Sequence, residues 1–227
     1  MPIDYSAVTK HLAEIDSASI GMNGSFNPAI FQPHWLAAQK LIRPEEAKTA
    51  KITTIQPELA DFSTEWFQLQ VLQNRFLLLS ADPRQFSPLR DLAAAIFSLL
   101  PHTPITKLGM HRLLHFQMRN KDQWHKLGHI LAPKEPWSGI LDRPGLLNVS
   151  IQGYSSEVPA GTAIIKLQPS TRVEFGVYIE MSEEFGPPSE GEAEEIPWIN
   201  RHLQAEWDIT MKFFEDSASR LLELVEG

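Results

Sequence analysis

ITKLGMHRLLHFQMR, Ile105 to Arg119, decides how the rest of the chain is read. Leu108, Met110, Leu114, Phe116 and Met118 recur at alternate positions, with Lys107, His111, His115, Gln117 and Arg119 between them. A period of two marks a strand with one apolar and one polar face. Arg112 interrupts the apolar side. A strand that is polar on one face belongs to an antiparallel sheet packed on a core from one side, since a buried parallel strand is apolar on both.

Upstream, Ser87-Pro88 predicts a helix start, with a side-chain cap and a proline at the first helical position. Leu89, Leu92, Ala93, Ile96, Phe97 and Leu100 then form one stripe that Pro101 ends. Before it lie three strand patterns, Lys51 to Ile55, Thr64 to Gln73 and Arg75 to Ser80; Phe67, Leu69 and Val71 alternate with Gln68 and Gln70. A helix is expected from Gln32 to Ile42, with Pro33 in its first turn and Pro44 just past its end. Ala18 to Phe26 reads as a strand that Gly21 and Gly24 twist or bulge. A polar stretch of helical pattern opens the chain.

Downstream, Lys121 to Leu131 reads as a short helix with Asn120 and Gln123 placed as a capping box. The segment APKEPWSGILDRPG, Ala132 to Gly145, connects it to Leu146–Tyr154, Gly161–Gln168 and Arg172–Met181, three strand patterns in succession that predict a meander. Between Glu183 and Pro197 stand six Glu and no Lys or Arg, a composition that predicts a solvated loop. Trp198 to Val225 reads as a closing helix across the sheet, with Ile199, Leu203, Trp207, Thr210, Phe214, Leu221 and Val225 on one side.

Strands in groups with helices between the groups give an α+β fold, an antiparallel sheet covered by amphipathic helices. We divide the chain into an N-terminal α+β half, 1–132, a Pro-rich connection, 133–145, and a C-terminal meander plus helix, 146–227, integrated into one domain. With 227 residues, 43% of them hydrophobic, there is ample material for a core. A net charge of −8 argues against a non-specific nucleic-acid coat or a polybasic membrane-surface protein, both of which need a basic excess. The absence of cysteine excludes disulfides, thiolate metal sites and a Cys nucleophile. No signal peptide and no membrane-length apolar run is visible, so the expected location is cytoplasmic.

Four of the eight histidines fall between His111 and His129. The strand pair, His111 and His115, shares a face at a separation too long for one ion, whereas His125 and His129 stand one helical turn apart and are the candidate metal ligands. Lys126 occupies the place where the helical metalloprotease signature has Glu, which leaves a solvated His125 and a His129 at the helix end as the plainer reading. Lys107, His111, His115 and Arg119 form a candidate anion, partner or nucleic-acid surface, although Phe116, the aromatic that would stack a base, lies on the opposite face.

Neither a glycine-flanked Ser at a strand-to-helix turn nor a Gly-rich phosphate loop is present, and Ser138 and Ser170 read as loop residues. Glu180, Glu183 and Glu184 adjoin the acidic loop and are expected to be exposed and unperturbed. Of the tryptophans at 66, 124, 137, 198 and 207, Trp124 and Trp137 are the ones expected at the surface, where a partner covers such side chains. Together these readings favour a non-catalytic interaction or regulatory subunit that needs no cofactor and binds a protein. A metal-dependent or anion-handling enzyme centred on His111–His129 and a nucleic-acid-binding accessory protein are the alternatives.

RFLLLSAD (75–82), FSPLRDLAAAIFSLLP (86–101), PITKLGMHRLLHF (104–116) and FFEDSASRLLELV (213–225) occur in an order that resembles a sporadically distributed family of bacterial and archaeal proteins. That family has a strand pair, a helix, a strand of the type LGLRYIN, antiparallel strands and a closing helix. Leu108, Gly109, Met110, His111 and Arg112 stand where the strand motif begins, while Leu113, Leu114 and His115 replace its Tyr, Ile and Asn. The resemblance implies the fold, a bacterial origin and an accessory role of the kind found in defence or toxin–antitoxin loci. It supplies no catalytic residues.

Overall fold

The computed structural model describes residues 11–155, 157, 158, 161–188 and 197–226. Within them, nine strands make a single antiparallel sheet in the spatial order β2-β3-β4-β5-β1-β6-β9-β8-β7. In chain order these are β1 (Ile15–Gly24), β2 (Lys51–Gln56), β3 (Leu59–Ser63), β4 (Gln68–Leu72), β5 (Arg75–Ser80), β6 (Ile105–Gln117), β7 (Val149–Gly153), β8 (Thr162–Pro169) and β9 (Gly176–Phe185). The helices are α1 (Pro33–Ala38), α2 (Pro44–Thr49), α3 (Phe86–Leu99), α4 (Lys121–Leu131) and α5 (Trp198–Glu223). The α+β fold read from the sequence is the fold observed.

β6 joins the two parts of the sheet. It pairs with β1 on one side and β9 on the other over nearly its whole length, so strands from both ends of the sequence share one ladder. β7, β8 and β9 follow as the expected meander. The alternation in Ile105–Gln117 holds: Leu108, Met110, Leu114 and Phe116 are buried under the helices, and Lys107 and Gln117 are exposed on the other face. α3 covers β1 and β5, while α5 covers β6 and β9 and packs on α3. Leu203, Trp207 and Phe214 of α5 are fully buried, each contributing about 1.5–3 kcal/mol of apolar transfer. Asn200 Nδ2 donates to Ser98 Oγ at 2.7 Å, tying the two covering helices together.

Several boundaries differ from the sequence reading. The helix expected over 32–42 is two helices, because Lys40 takes a left-handed φ of 59° that ends the first and Pro44 opens the second as its first residue. Ser87 does not cap α3; Asp82 caps a 3₁₀ turn at Pro83–Gln85 and the helix runs on from Phe86. β3 has no strand signature in the sequence because Asp61 breaks an apolar run in which only Ala60 and Phe62 are buried. Thr64–Phe67 is a turn, with Thr64 N–H donating to the Phe67 carbonyl at 2.8 Å. β9 runs four residues past Met181, so Glu183 and Glu184 lie in a strand and not in a solvated loop. The rest of that acidic segment, 189–196, and the opening stretch, 1–10, lie outside the described residues.

The bulge expected of β1 is present. Its register against β6 shifts at Asn23 and Gly24, where a Cβ on Gly24 would collide with the Pro104 carbonyl. Among the described residues, no helix is long and apolar enough to cross a membrane. Among the described residues, β2 and β7 are the edge strands of the sheet, and one of its faces carries no helix.

Candidate functional site

The helix-free face gathers the polar positions of β1, β6, β8 and β9. His111 stands between Ser19 of β1 and Ser182 of β9. Its ring lies over the paired glycines of β1 and β6: a Cβ on Gly109 would come within 2.6 Å of His111 Nε2, and one on Gly21 within 3.2 Å. Two adjacent residues without side chains thus make the bed for one imidazole. Burial there pushes His111 below the usual histidine range, although the charges of Glu180 and Glu184 pull the other way.

One turn of the pleat away, His115 Nδ1 lies 2.8 Å from Ser170 Oγ, and its ring packs on Tyr178 with centroids 4.7 Å apart. Ser170 Oγ accepts from the backbone N–H groups of Arg172 at 3.1 Å and Val173 at 3.0 Å, which leaves its own proton for Nδ1. A hydroxyl occupied in this way holds the β8–β9 turn. Burial, reinforced by Arg172, lowers the His115 pKa. Tyr178 donates to Glu180 Oε2 at 3.2 Å, and burial followed by the Glu180 charge pushes its phenol upward. A hollow of about 450 Å³ opens beside His115, Tyr178 and Arg172.

The four residues expected to form a basic surface do not form a free one. Lys107 Nζ meets Glu184 Oε2 at 2.8 Å, and Arg119, beyond the end of β6, meets Glu226 Oε1 at 3.0 Å. His111 and His115, with their lowered pKa values, are neutral near pH 7. The acidic partners come from β9 and from the end of the chain, too distant in sequence for spacing along β6 to reveal them.

His125 and His129 both lie on α4 and are exposed. His125 packs on Trp124 at 4.9 Å between centroids, and His129 Nε2 faces Glu135 Oε1 at 3.2 Å. The two rings therefore take different neighbours. Among the described residues, no group of three or more His, Asp or Glu is placed to hold a metal ion.

α4 instead forms one wall of an apolar groove of about 340 Å³, with Trp124, Leu127, Leu146, Leu167 and Val177 inside and His125, Lys134 and Arg143 along the rim. Trp124 is fixed by donating its indole N–H to the Gly176 carbonyl at 2.9 Å. Lys134 donates to the carbonyls of Gly128 and Ala132, which close the helix. The segment leaving α4 is unusual in what it shows to solvent: Ile130, Trp137, Ile140, Leu141 and Leu147 are all exposed, Ile140 by 72% and Leu147 by 81%.

Two ionised or ionisable groups, Arg112 and Glu183, sit under the helices. Arg112 donates to Asp16 through Nε at 3.1 Å and Nη2 at 2.8 Å, and to the Met211 carbonyl at 2.9 Å; Glu215 lies 3.5 Å away. Burial alone would lower its pKa, and the Asp16 bonds with the Asp16 and Glu215 charges raise it instead. A hollow of about 570 Å³ lies beside this cluster. Glu183 is the opposite case: it is 0% exposed, and among the described residues neither carboxylate oxygen has a hydrogen-bond partner. Burial, then the charge of Glu206, pushes it up to about 7. Continuing the Ile179, Met181 alternation by one step would have placed Glu183 inside.

No protein-family model matches the chain, and no curated protein matches it.

Proposed function

We propose that the chain is a non-catalytic interaction or regulatory subunit that holds a protein partner on α4 and the Pro-rich connection. The observation that carries this reading is the exposed apolar run Ile130, Trp137, Ile140 and Leu141 beside the Trp124 groove. Large apolar side chains grouped on a surface are unfavourable in water and mark places that another molecule covers. Tryptophans in such groups act as anchors, since they bring much area at small entropic cost. Trp124, Leu127 and Leu146 in the groove favour a partner segment with an apolar anchor, since Lys134 is turned onto the carbonyls that close α4 and Arg143 is paired with Asp142. The polar side chains elsewhere support the reading by their neighbours: Ser170 is engaged with a turn and His115, and His129 with Glu135. The setting we propose is a bacterial, cytoplasmic accessory system, a reading supported by the resemblance in sequence pattern and by the cysteine-free composition.

The test is quantitative co-purification of the tagged full chain from its own cells, comparing wild type with the double variant Trp137→Asp, Ile140→Asp. Both residues are exposed, so the circular dichroism and unfolding midpoint should not change. The expected result is a defined protein retained by wild type and depleted at least about tenfold with the variant. Equal retention by both forms would overturn the proposal. So would stoichiometric metal in the purified protein that disappears with His125→Ala and with His129→Ala.

A further inference from the structure

The two edges of the sheet are built differently. An edge strand presents unpaired N–H and C=O groups, and proteins that stay single usually blunt it with a charge, a bulge or a proline. β2 has the first two: Lys51 opens it, and its register against β3 shifts between Ile52 and Thr54. β7 has none. Its sequence is VSIQG, its register against β8 is unbroken, and no charged residue occurs from Pro144 to Ser156. Ile151, at its centre, is 64% exposed while paired with Ile165 of β8.

We propose that β7 pairs with β7 of a second copy of this chain, antiparallel about a two-fold axis at Ile151, to make one sheet continuous across both molecules. Two features select a second copy as the occupant. The uncharged edge is the part of a molecule of net charge −8 where two identical chains approach without repulsion.

The apolar positions also match themselves. Pairing centred on Ile151 extends the Ile165–Ile151 contact into a row of four isoleucines across the seam. A slip of one residue would send Ile151 to the face opposite its counterpart, so the period of two fixes the register. This surface is distinct from the Trp137–Ile140 surface, and variants of each separate the two proposals.

The test is sedimentation velocity of the full chain over a concentration series, with wild type, Ile151→Lys, and Ile52→Lys at the opposite edge as the control. The expected result is a mass of two chains for wild type and the control, and a dissociation constant raised at least about 30-fold for Ile151→Lys. Because the chain has no cysteine, Ile151→Cys adds a readout of contact that does not depend on the lysine variant folding. Mild oxidation should link two Ile151→Cys chains at native concentration and leave an Ile52→Cys variant unlinked. A wild type that remains a single chain throughout would overturn the proposal, as would a dimer unaffected by Ile151→Lys or an Ile151→Cys variant that does not cross-link. None of these results bears on whether Trp137→Asp, Ile140→Asp loses its partner.

Discussion

Arg112 on β6 and Glu183 on β9 both point into the layer between the sheet and α5, yet their surroundings differ in every respect that matters to a charge. Arg112 has a carboxylate on each side, a carbonyl from α5 and the Phe86 ring 5.8 Å from its guanidinium carbon. Glu183 has no hydrogen-bond partner among the described residues, and the charge acting on it, Glu206, has the same sign as its own ionised form. The first arrangement keeps an ion inside a protein by surrounding it with donors' complements. The second keeps a carboxyl inside by keeping its proton. One region is therefore insensitive to pH near neutrality, and the other changes its charge there.

The strongest way to break the contrast is to make Arg112 resemble Glu183 by removing its main partner. Asp16→Ala leaves a buried guanidinium with Glu215 and one carbonyl, and should cost about 3–4 kcal/mol in unfolding free energy by chemical denaturation. A midpoint unchanged from wild type would show that Asp16 is dispensable to Arg112.

The next test removes the unpartnered carboxyl. The unfolded chain releases the Glu183 proton near 4.5 and the folded chain near 7. Between these values the folded state binds more protons, so wild-type stability should fall as pH rises through the window. The contribution is complete below about 4.5 and gone above about 7, a span of about 3 kcal/mol. Glu183→Met should flatten that part of the profile and be more stable than wild type by up to about 3 kcal/mol at pH 8. Parallel profiles for the two forms would refute the assignment.

A finer change sharpens the comparison without altering Glu183 itself. Glu206→Gln removes the like charge, so the pH at which wild-type stability declines should move downward, by less than about 1 kcal/mol at fixed pH. An upward movement would mean that Glu206 acts on Glu183 through something other than its charge.

Much of the architecture was legible because it rests on local periodicity. The two faces of Ile105–Gln117, the stripe of α3 and the successive strands after Leu146 each show in the identity of residues two or three and four positions apart. What failed failed for local reasons too. Asp61 hid β3, and a left-handed residue at Lys40 split a helix whose apolar pattern runs through the break. At the candidate site the sequence set Trp124 and Trp137 apart as surface tryptophans; Trp137 is exposed, whereas Trp124 is half-buried in a groove wall, as Trp66 and Trp198 are half-buried elsewhere. It did not show that Lys107 and Arg119 are neutralised, since Glu184 and Glu226 lie 77 and 107 residues further along the chain.

The sequence by itself determined the alternation of faces, the helix stripes and the absence of charge between Pro144 and Ser156, because each depends on neighbours along the chain. Only the tertiary structure decided which polar groups are paired. It set Asp16 beside Arg112, laid His111 over the glycines of two strands, left Glu183 with a raised pKa under α5, and made β7 an edge. Those outcomes depend on distances between segments far apart in sequence, and the dielectric and partners that fix a charge exist only once the segments are packed.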